Sequence, residues 1–188
     1  MPVRDRVVRA AITLFARKGF DATPVREIAD AAGVTTGALY HYFATKEDLL
    51  VEVYRQMQGG QRLRMEAIAD SDLPLREKLH AIISDVVEST IADLDEAVVF
   101  FQSFHLLSPR VREMVRGERR GYHDRVKALI EEGQREGTFR SDVPATLAVS
   151  YHFGAVHRLG LWYHPDGPLS AEEVARHFAD LTLSSLTP

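Results

Sequence analysis

The stretch from Thr23 to Lys46 constrains the fold of this chain most, because it has the pattern of two short helices joined by a tight turn. Four small or apolar residues of the first helix recur at i, i+3, i+4 and i+7, the spacing of one helix face. They are Val25, Ile28, Ala29 and Ala32. Thr23 is expected to cap this helix and Pro24 to occupy its first position. Gly33 is expected to end it in the left-handed conformation that glycine adopts most easily.

A second short helix follows the turn at once. Thr35 or Thr36 is expected as its N-cap, and its N-terminus is made of small residues that allow close approach to another molecule. Tyr40, His41 and Tyr42 add flat side chains with hydrogen-bonding tips, which suit phosphates and base edges. Two helices in this arrangement are typical of a helix-turn-helix, whose second helix enters the major groove of DNA. The alternative is an ordinary helical hairpin with aromatic core residues.

A third helix begins at Lys46. Thr45 and Asp48 have the spacing of a capping box, which satisfies the free N–H groups at a helix start. The Lys46 cation beside such a helix start is expected to anchor a phosphate group.

The run REIADAAGVTTGALYHYFATKEDLL resembles the signature of the TetR family of transcriptional regulators, over roughly the first third of the chain. The resemblance implies an all-α fold of about nine helices. It also implies a three-helix DNA-binding domain, a larger helical domain for dimerisation and ligand binding, and release of operator DNA by an inducer. The DNA contacts that it implies are Thr23, Thr35, Thr36, Gly37, Tyr40, His41, Tyr42 and Lys46.

Helical periodicity continues to the C-terminus and no strand pattern appears. We expect a DNA-binding domain at 1–45, a connecting helix at 46–70 and a ligand-binding and dimerisation domain at 71–188. The connecting helix contains Gly59-Gly60, which indicates either a hinge or close packing where helices cross. The later helices are expected at Leu75–Leu94, Glu96–Leu107, Pro109–Glu136, Pro144 to about Tyr163, and after Ser170 to about Leu186.

Composition excludes several classes of protein. Net charge is −4, but basic residues slightly outnumber acidic ones through Gln58, so the balance still allows a locally basic DNA-binding surface. Cysteine is absent, and no long apolar run predicts a membrane span, so we expect a cytoplasmic protein without membrane contact. The eight histidines lack the i, i+4 spacing of helical zinc sites.

The sequence also lacks the motifs of several enzyme classes. No nucleophile elbow, phosphate-binding loop or dinucleotide motif is present. We therefore expect no metal, no cofactor and no enzymatic activity.

The last two long helices are predicted to form a homodimer interface through a four-helix arrangement. The residues assigned to it are Tyr151, Ala155, Arg158, Trp162, Val174, Phe178 and Leu181. The alternative is that these residues belong to the core of the domain. A two-fold axis would place two recognition helices in successive major grooves, and the operator would then be an inverted repeat.

The helix beginning at Pro109 carries a row of basic residues beside an apolar row. Guanidinium groups next to an apolar slot suit a ligand with phosphates at one end and an apolar tail at the other, such as an acyl-CoA thioester. The C-terminal part of the chain also resembles the ligand domains of TetR-family regulators that sense acyl-CoA. The predicted ligand-binding residues are Phe100, Phe104, Arg112, Arg116, Arg119, Tyr122, His123 and Tyr151. The alternatives are aromatic residues that only fill the core, and a solvated helix face neutralised by Glu113 and Glu118.

Together these patterns predict a dimeric repressor that leaves its operator when it binds a small effector, which we expect to be an acyl-CoA thioester. Two other hypotheses remain open. One is a regulator that senses a hydrophobic or aromatic compound, as multidrug-type regulators do. The other is a regulator controlled by a protein partner without a small-molecule inducer.

Overall fold

The computed structural model describes all 188 residues, and they form nine α-helices, two 3₁₀ turns and no strand. The predicted all-α fold is confirmed. The helices are α1 (Val3–Lys18), α2 (Val25–Ala32), α3 (Thr36–Tyr42), α4 (Lys46–Ala69), α5 (Leu75–Ala92), α6 (Leu94–Ser103), α7 (Pro109–Glu136), α8 (Ala145–Val156) and α9 (Ala171–Leu186). The 3₁₀ turns are Phe104–Leu106 and Leu159–Leu161. No helix is long and apolar enough to cross a membrane.

The chain divides into two compact units that are not the linear segments predicted from the sequence. The first unit contains residues 1–58 and 94–115, and the second contains residues 59–93 and 116–188. α6 and the start of α7 therefore belong with the first three helices and not with the C-terminal unit. The helices α4 and α7 each begin in the first unit and end in the second.

The first unit is built around α1, which packs against α2, α3 and α6. Its core is continuous and apolar, and Val7, Ala11 and Ile28 are completely buried in it. Tyr54 of α4 stacks on Phe100 of α6 with ring centroids 4.4 Å apart. Burial of large apolar side chains of this kind contributes about 1.5–3 kcal/mol each. The helices α2 and α3 therefore pack on a continuous apolar core.

Local sequence signals set several helix ends as expected. Gly19 and Gly33 end α1 and α2 with φ of +83° and +65°. Thr35, one of the two candidates, caps α3, because its hydroxyl oxygen accepts the Ala38 N–H at 3.1 Å. Thr45 and Asp48 form the expected capping box at the start of α4. Ser170 forms another with Glu173 at the start of α9.

Three predicted helix boundaries are wrong. α6 ends at Ser103 and not at Leu107, because a 3₁₀ turn follows at Phe104–Leu106. The N-cap of α2 is Pro24 and not Thr23, and no side chain caps this helix. α8 ends at Val156, well before Tyr163, and a 3₁₀ turn follows at Leu159–Leu161. The apolar residues of this second stretch continue the helical pattern of α8, which is why periodicity alone did not show the break.

The second unit is organised by the packing of α5 on α9. Leu79 and Ile82 of α5 and Ala175 of α9 are almost completely buried there. At the rim, Arg64 of α4 donates to Asp85 of α5 at 2.5 Å. Ion pairs at this level of exposure contribute less than about 1 kcal/mol, so the stability of the unit comes mainly from its apolar core.

Glycines occur in the middle of both shared helices. Gly59 and Gly117 are exposed, and a Cβ at either position would meet no other atom within 4 Å. A Cβ at Gly60 would meet only the flexible end of the Arg64 side chain. Close packing within this chain therefore does not explain Gly59-Gly60, which leaves the hinge hypothesis. Each such glycine lowers helix stability by about 1 kcal/mol relative to alanine.

Candidate functional sites

The exposed face of α3 is the candidate DNA-binding surface. Leu39 is buried in the first unit, and Phe43 is buried just after the helix ends. Tyr40 and Tyr42 are 49% and 46% exposed, so roughly half of each large ring faces solvent on a helix of only seven residues. The His41 and Tyr42 rings meet edge to face with centroids 5.4 Å apart. Burial on one side and exposed polar aromatics on the other is the arrangement that a groove-reading helix requires.

The N-terminus of α3 is open to solvent. Thr35 and Gly37 are exposed, and Thr36 is partly exposed. A Cβ at Gly37 would lie 3.9 Å from the Thr35 hydroxyl, so no neighbouring element covers this end of the helix. The free N–H groups of such a terminus favour anions such as DNA phosphates.

Thr23 and Lys46 have internal partners. Thr23 is completely buried, and its hydroxyl donates to the carbonyls of Gly19 and Leu14, so the predicted phosphate contact of its side chain is wrong. The Lys46 ammonium donates to the carbonyls of Phe20, Asp21 and Thr23 at 2.8–3.3 Å. It therefore ties the loop between α1 and α2 to the start of α4. Its contact with a phosphate stays a prediction.

An apolar face on α8, α9 and the connection between them is open to solvent. Tyr151 and Leu181 are 63% and 66% exposed, and Trp162 is 47% exposed and stacks on Phe178. Arg158 is also exposed, and Ala155 and Phe178 are partly exposed. Leu147 and Leu161 add further exposed apolar surface. Several large exposed apolar side chains on two helices that contact each other are typical of an interaction site. Val174, in contrast, is only 2% exposed, so the assignment of Val174 to an interface is wrong.

A basic cleft of about 410 Å³ lies between α7 and α8 in the second unit. Its walls include Arg116, Arg119 and Arg120, and Asp124 is its single acidic residue. The other lining residues are His123, Lys127, Thr146, Val149 and Ser150. The volume lies within the range of small-molecule sites, and the excess of positive charge favours an anionic ligand.

The remaining predicted ligand residues do not share this cleft. Phe100 is completely buried in the first unit beside Phe104, and Arg112 of the same unit donates to the carbonyl of His105 at 2.9 Å. Tyr151 belongs to the exposed apolar face described above. Tyr122 belongs to the second unit but is buried beneath the cleft-lining residues of α7.

Three histidines of the second unit interact with one another: His123, which lines the cleft, and His152 and His157, which are absent from the predicted ligand set. His123 stacks on Phe153 with centroids 4.1 Å apart, and His152 is 3% exposed. Burial, with Arg119 as a nearby cation, lowers the pKa of His123 to about 4. Burial likewise lowers the pKa of His152 to about 4 and that of His157 to about 3.

The His157 ring meets the Arg119 guanidinium at 2.8 Å, with a ring nitrogen accepting from the cation. All three rings are therefore uncharged at neutral pH. The only sequence signal for this cluster was a polar residue within the apolar run ATLAVSYHFGAV. No group of histidine and carboxylate side chains in the chain has the arrangement of a metal site.

Comparison with known proteins agrees with this architecture. Residues 7–53 match the bacterial regulatory proteins of the tetR family, and residues 72–186 match the tetracyclin repressor-like C-terminal domain. The HTH-type transcriptional repressor KstR2 of Rhodococcus jostii strain RHA1 is 31% identical, over 97% of this chain and 90% of that protein. The fatty acid metabolism regulator protein of Bacillus subtilis strain 168 is 26% identical over 82% of this chain and 80% of its own length.

Among solved structures, the TetR family transcriptional regulator PfmR from Thermus thermophilus superimposes with a TM-score of 0.85. It is 30% identical and the match covers 98% of this chain and 100% of that one. The two family matches together span most of the chain, and the helix-turn-helix signature lies inside the first. The chain therefore belongs to the TetR family of DNA-binding transcriptional regulators.

Proposed function

We propose that this chain is a dimeric repressor that binds an inverted-repeat operator and leaves it when an acyl-CoA thioester binds to the second unit. The observation that carries the effector proposal is the basic cleft beside a buried aromatic cluster in the same unit. Guanidinium groups bind phosphate oxygens in a bidentate manner, and an apolar interior suits an acyl group. The names of two relatives support the proposal in kind, one as a repressor and one as a regulator of fatty acid metabolism.

The exposed apolar face supports the dimer. A second copy of the chain is the occupant we propose, because the face carries exposed aromatic and leucine side chains, as the cores of homodimer interfaces do. A two-fold axis through this face would present two copies of α3 to one duplex. Two half-sites bound together gain affinity through their effective concentration, without any additional contact.

Effector release is assumed to be a shift between two states of the dimer. If free protein holds operator DNA and bound ligand favours another state, the ligand must prefer that state by about 2.7 kcal/mol to weaken DNA binding about 100-fold. The helix α4 belongs to both units and carries Gly59-Gly60, so it is the element we propose to transmit the change.

Replacing Tyr40 by alanine is expected to weaken operator binding by about 5- to 100-fold, because a lost contact to a phosphate or base edge costs about 1–3 kcal/mol. Fluorescence anisotropy with a labelled fragment of the promoter next to the coding gene measures the Kd at fixed salt concentration. Tyr40→Phe separates the contribution of the hydroxyl from that of the ring. An unchanged Kd in Tyr40→Ala, with normal thermal unfolding, would remove Tyr40 from the DNA-binding surface.

The effector proposal is tested by adding a series of acyl-CoA thioesters, and coenzyme A alone, to the operator complex. We expect release by one or more thioesters, and a 10-fold or larger rise in the concentration needed by Arg116→Ala/Arg120→Ala. DNA affinity without ligand should not change. Arg135→Ala is the matched control, because Arg135 lies on the same helix outside the cleft.

The possible outcomes separate the hypotheses. Release by aromatic or apolar compounds that lack coenzyme A would favour the multidrug-type alternative. No release by any small molecule would favour a protein partner. A normal response of the double variant to acyl-CoA would show that the arginines only cover the surface.

A further inference from the structure

Four side chains of the second unit carry a buried polar atom without a hydrogen-bond partner in the protein, namely Ser84, Asp85, Tyr122 and His152, and the last two are considered together because both contact Phe153. The Tyr122 hydroxyl lies on α7 and the His152 ring on α8, and the residues are 4% and 3% exposed. Neither the hydroxyl nor either ring nitrogen has a protein donor or acceptor within hydrogen-bond distance. An unsatisfied buried polar group costs about 1–3 kcal/mol, so natural folds retain few of them and each requires an explanation.

The two side chains flank one aromatic ring. The Phe153 centroid lies 5.6 Å from that of Tyr122 and 5.0 Å from that of His152. His123 also contacts Phe153, on which it stacks at 4.1 Å, and it lines the basic cleft. Ring contacts therefore link both polar side chains to one residue of the cleft wall. A ligand anchored in the cleft by its phosphates would reach the two side chains if its other end entered between these rings.

Both side chains, Tyr122 and His152, are uncharged at neutral pH. Burial lowers the pKa of His152 to about 4, so its imidazole offers one N–H donor and one nitrogen acceptor at neutral pH. Burial raises the pKa of Tyr122, so the phenol keeps its proton and can donate it. A neutral oxygen can accept a hydrogen bond from the phenol and another from the imidazole N–H, which leaves one imidazole nitrogen as an acceptor. A purely apolar group would leave these atoms unpaired.

We propose that Tyr122 and His152 bind a hydroxyl or keto oxygen on the acyl part of the effector, so that the protein selects oxygenated acyl-CoA thioesters over their hydrocarbon counterparts. This inference rests on the effector class proposed above and specifies it further. Recognition of a substrate hydroxyl by buried polar groups gives strong discrimination, because the analogue without the hydroxyl leaves those groups unpaired.

The test compares two thioesters that differ by one hydroxyl, benzoyl-CoA and 4-hydroxybenzoyl-CoA, in their binding to full-length protein by calorimetry. We expect the hydroxylated thioester to bind at least 10-fold more tightly, equivalent to about 1.4 kcal/mol. The preference should disappear in Tyr122→Phe, which conserves volume, and in His152→Leu. Tyr163→Phe is the matched control, because Tyr163 is also a buried tyrosine of the same unit. Equal affinity of the wild-type protein for both thioesters would overturn the proposal.

A second measurement separates this inference from the effector proposal. The probes are p-cresol and toluene, which lack coenzyme A, and the readout is the ¹⁵N shift of the His152 ring in histidine-labelled protein. A shift with p-cresol but not with toluene supports the polar site even if no thioester binds. If both thioesters bind equally and neither probe shifts the ring, the effector proposal stands and the polar site does not. That result would mean that ordered water satisfies the pair.

Discussion

Leu181→Arg is expected to convert the protein from a dimer to a monomer and to weaken operator binding by more than 100-fold. The side chain is 66% exposed in the single chain and lies on α9, in the apolar face formed with Tyr151 and Trp162. A guanidinium placed in an apolar interface loses hydration without gaining a partner. The variant would also lose the cooperative gain of two half-sites, which reaches about 10²–10⁴ in linked binding events.

Analytical ultracentrifugation and operator anisotropy together check this prediction. Leu63→Arg is the matched control, because Leu63 is 75% exposed but lies on α4, outside the apolar face. We expect this control to remain dimeric with a normal Kd. A Leu181→Arg protein that stays dimeric and binds its operator normally would place the interface elsewhere.

Acidification is expected to destabilise the folded protein between about pH 6.5 and pH 4. Burial in the native state lowers the pKa values of His123 and His152 to about 4 and that of His157 to about 3. In the unfolded chain a histidine titrates near pH 6.5. Below that pH the unfolded state binds more protons than the native state, so the free energy of unfolding falls as pH falls.

The expected slope approaches about 1.4 kcal/mol per pH unit for His152, which is fully buried, near pH 5.5, equivalent to one proton. His123 and His157 contribute less because both residues are partly exposed to solvent. Urea unfolding at several pH values and one protein concentration measures the slope. His152→Leu should lower the slope of the unfolding free energy against pH by the equivalent of about one proton. His105→Gln removes a histidine outside the cluster and serves as the control, for which we expect an unchanged slope. A slope near zero between pH 6.5 and pH 5 would show that the three rings titrate in the native state as they do in the unfolded chain.

Local sequence signals predicted the DNA-binding half well, because its helix ends are fixed by single residues. Gly33 adopts the left-handed conformation and Thr35 caps α3, both at the positions that their chemistry favours. The error at Thr23 has a physical reason. A threonine before a proline fits an N-cap, but here its hydroxyl bonds back to the end of α1, a contact that depends on tertiary packing.

The predicted ligand-binding and interface residues agree with the structure only in part. The row of arginines on α7 was visible from spacing, and three arginines of this helix line one cleft. That α6 packs with α1, so that Phe100 joins the core of the first unit, is a long-range contact that periodicity does not encode. Val174 was misassigned because it shares a helix face with Leu181 at i, i+7, and spacing does not show that the chain covers this face at Val174 and leaves it open at Leu181.

The glycines of α4 and α7 have a mechanical consequence. The boundary between the units crosses α4 after Gln58 and α7 after Val115, and glycines follow within two residues in each helix. Both rods are thus most compliant near the places where they pass from one unit to the other. At these positions each glycine makes the helix about 1 kcal/mol less stable than alanine would, so less free energy is needed to distort it there.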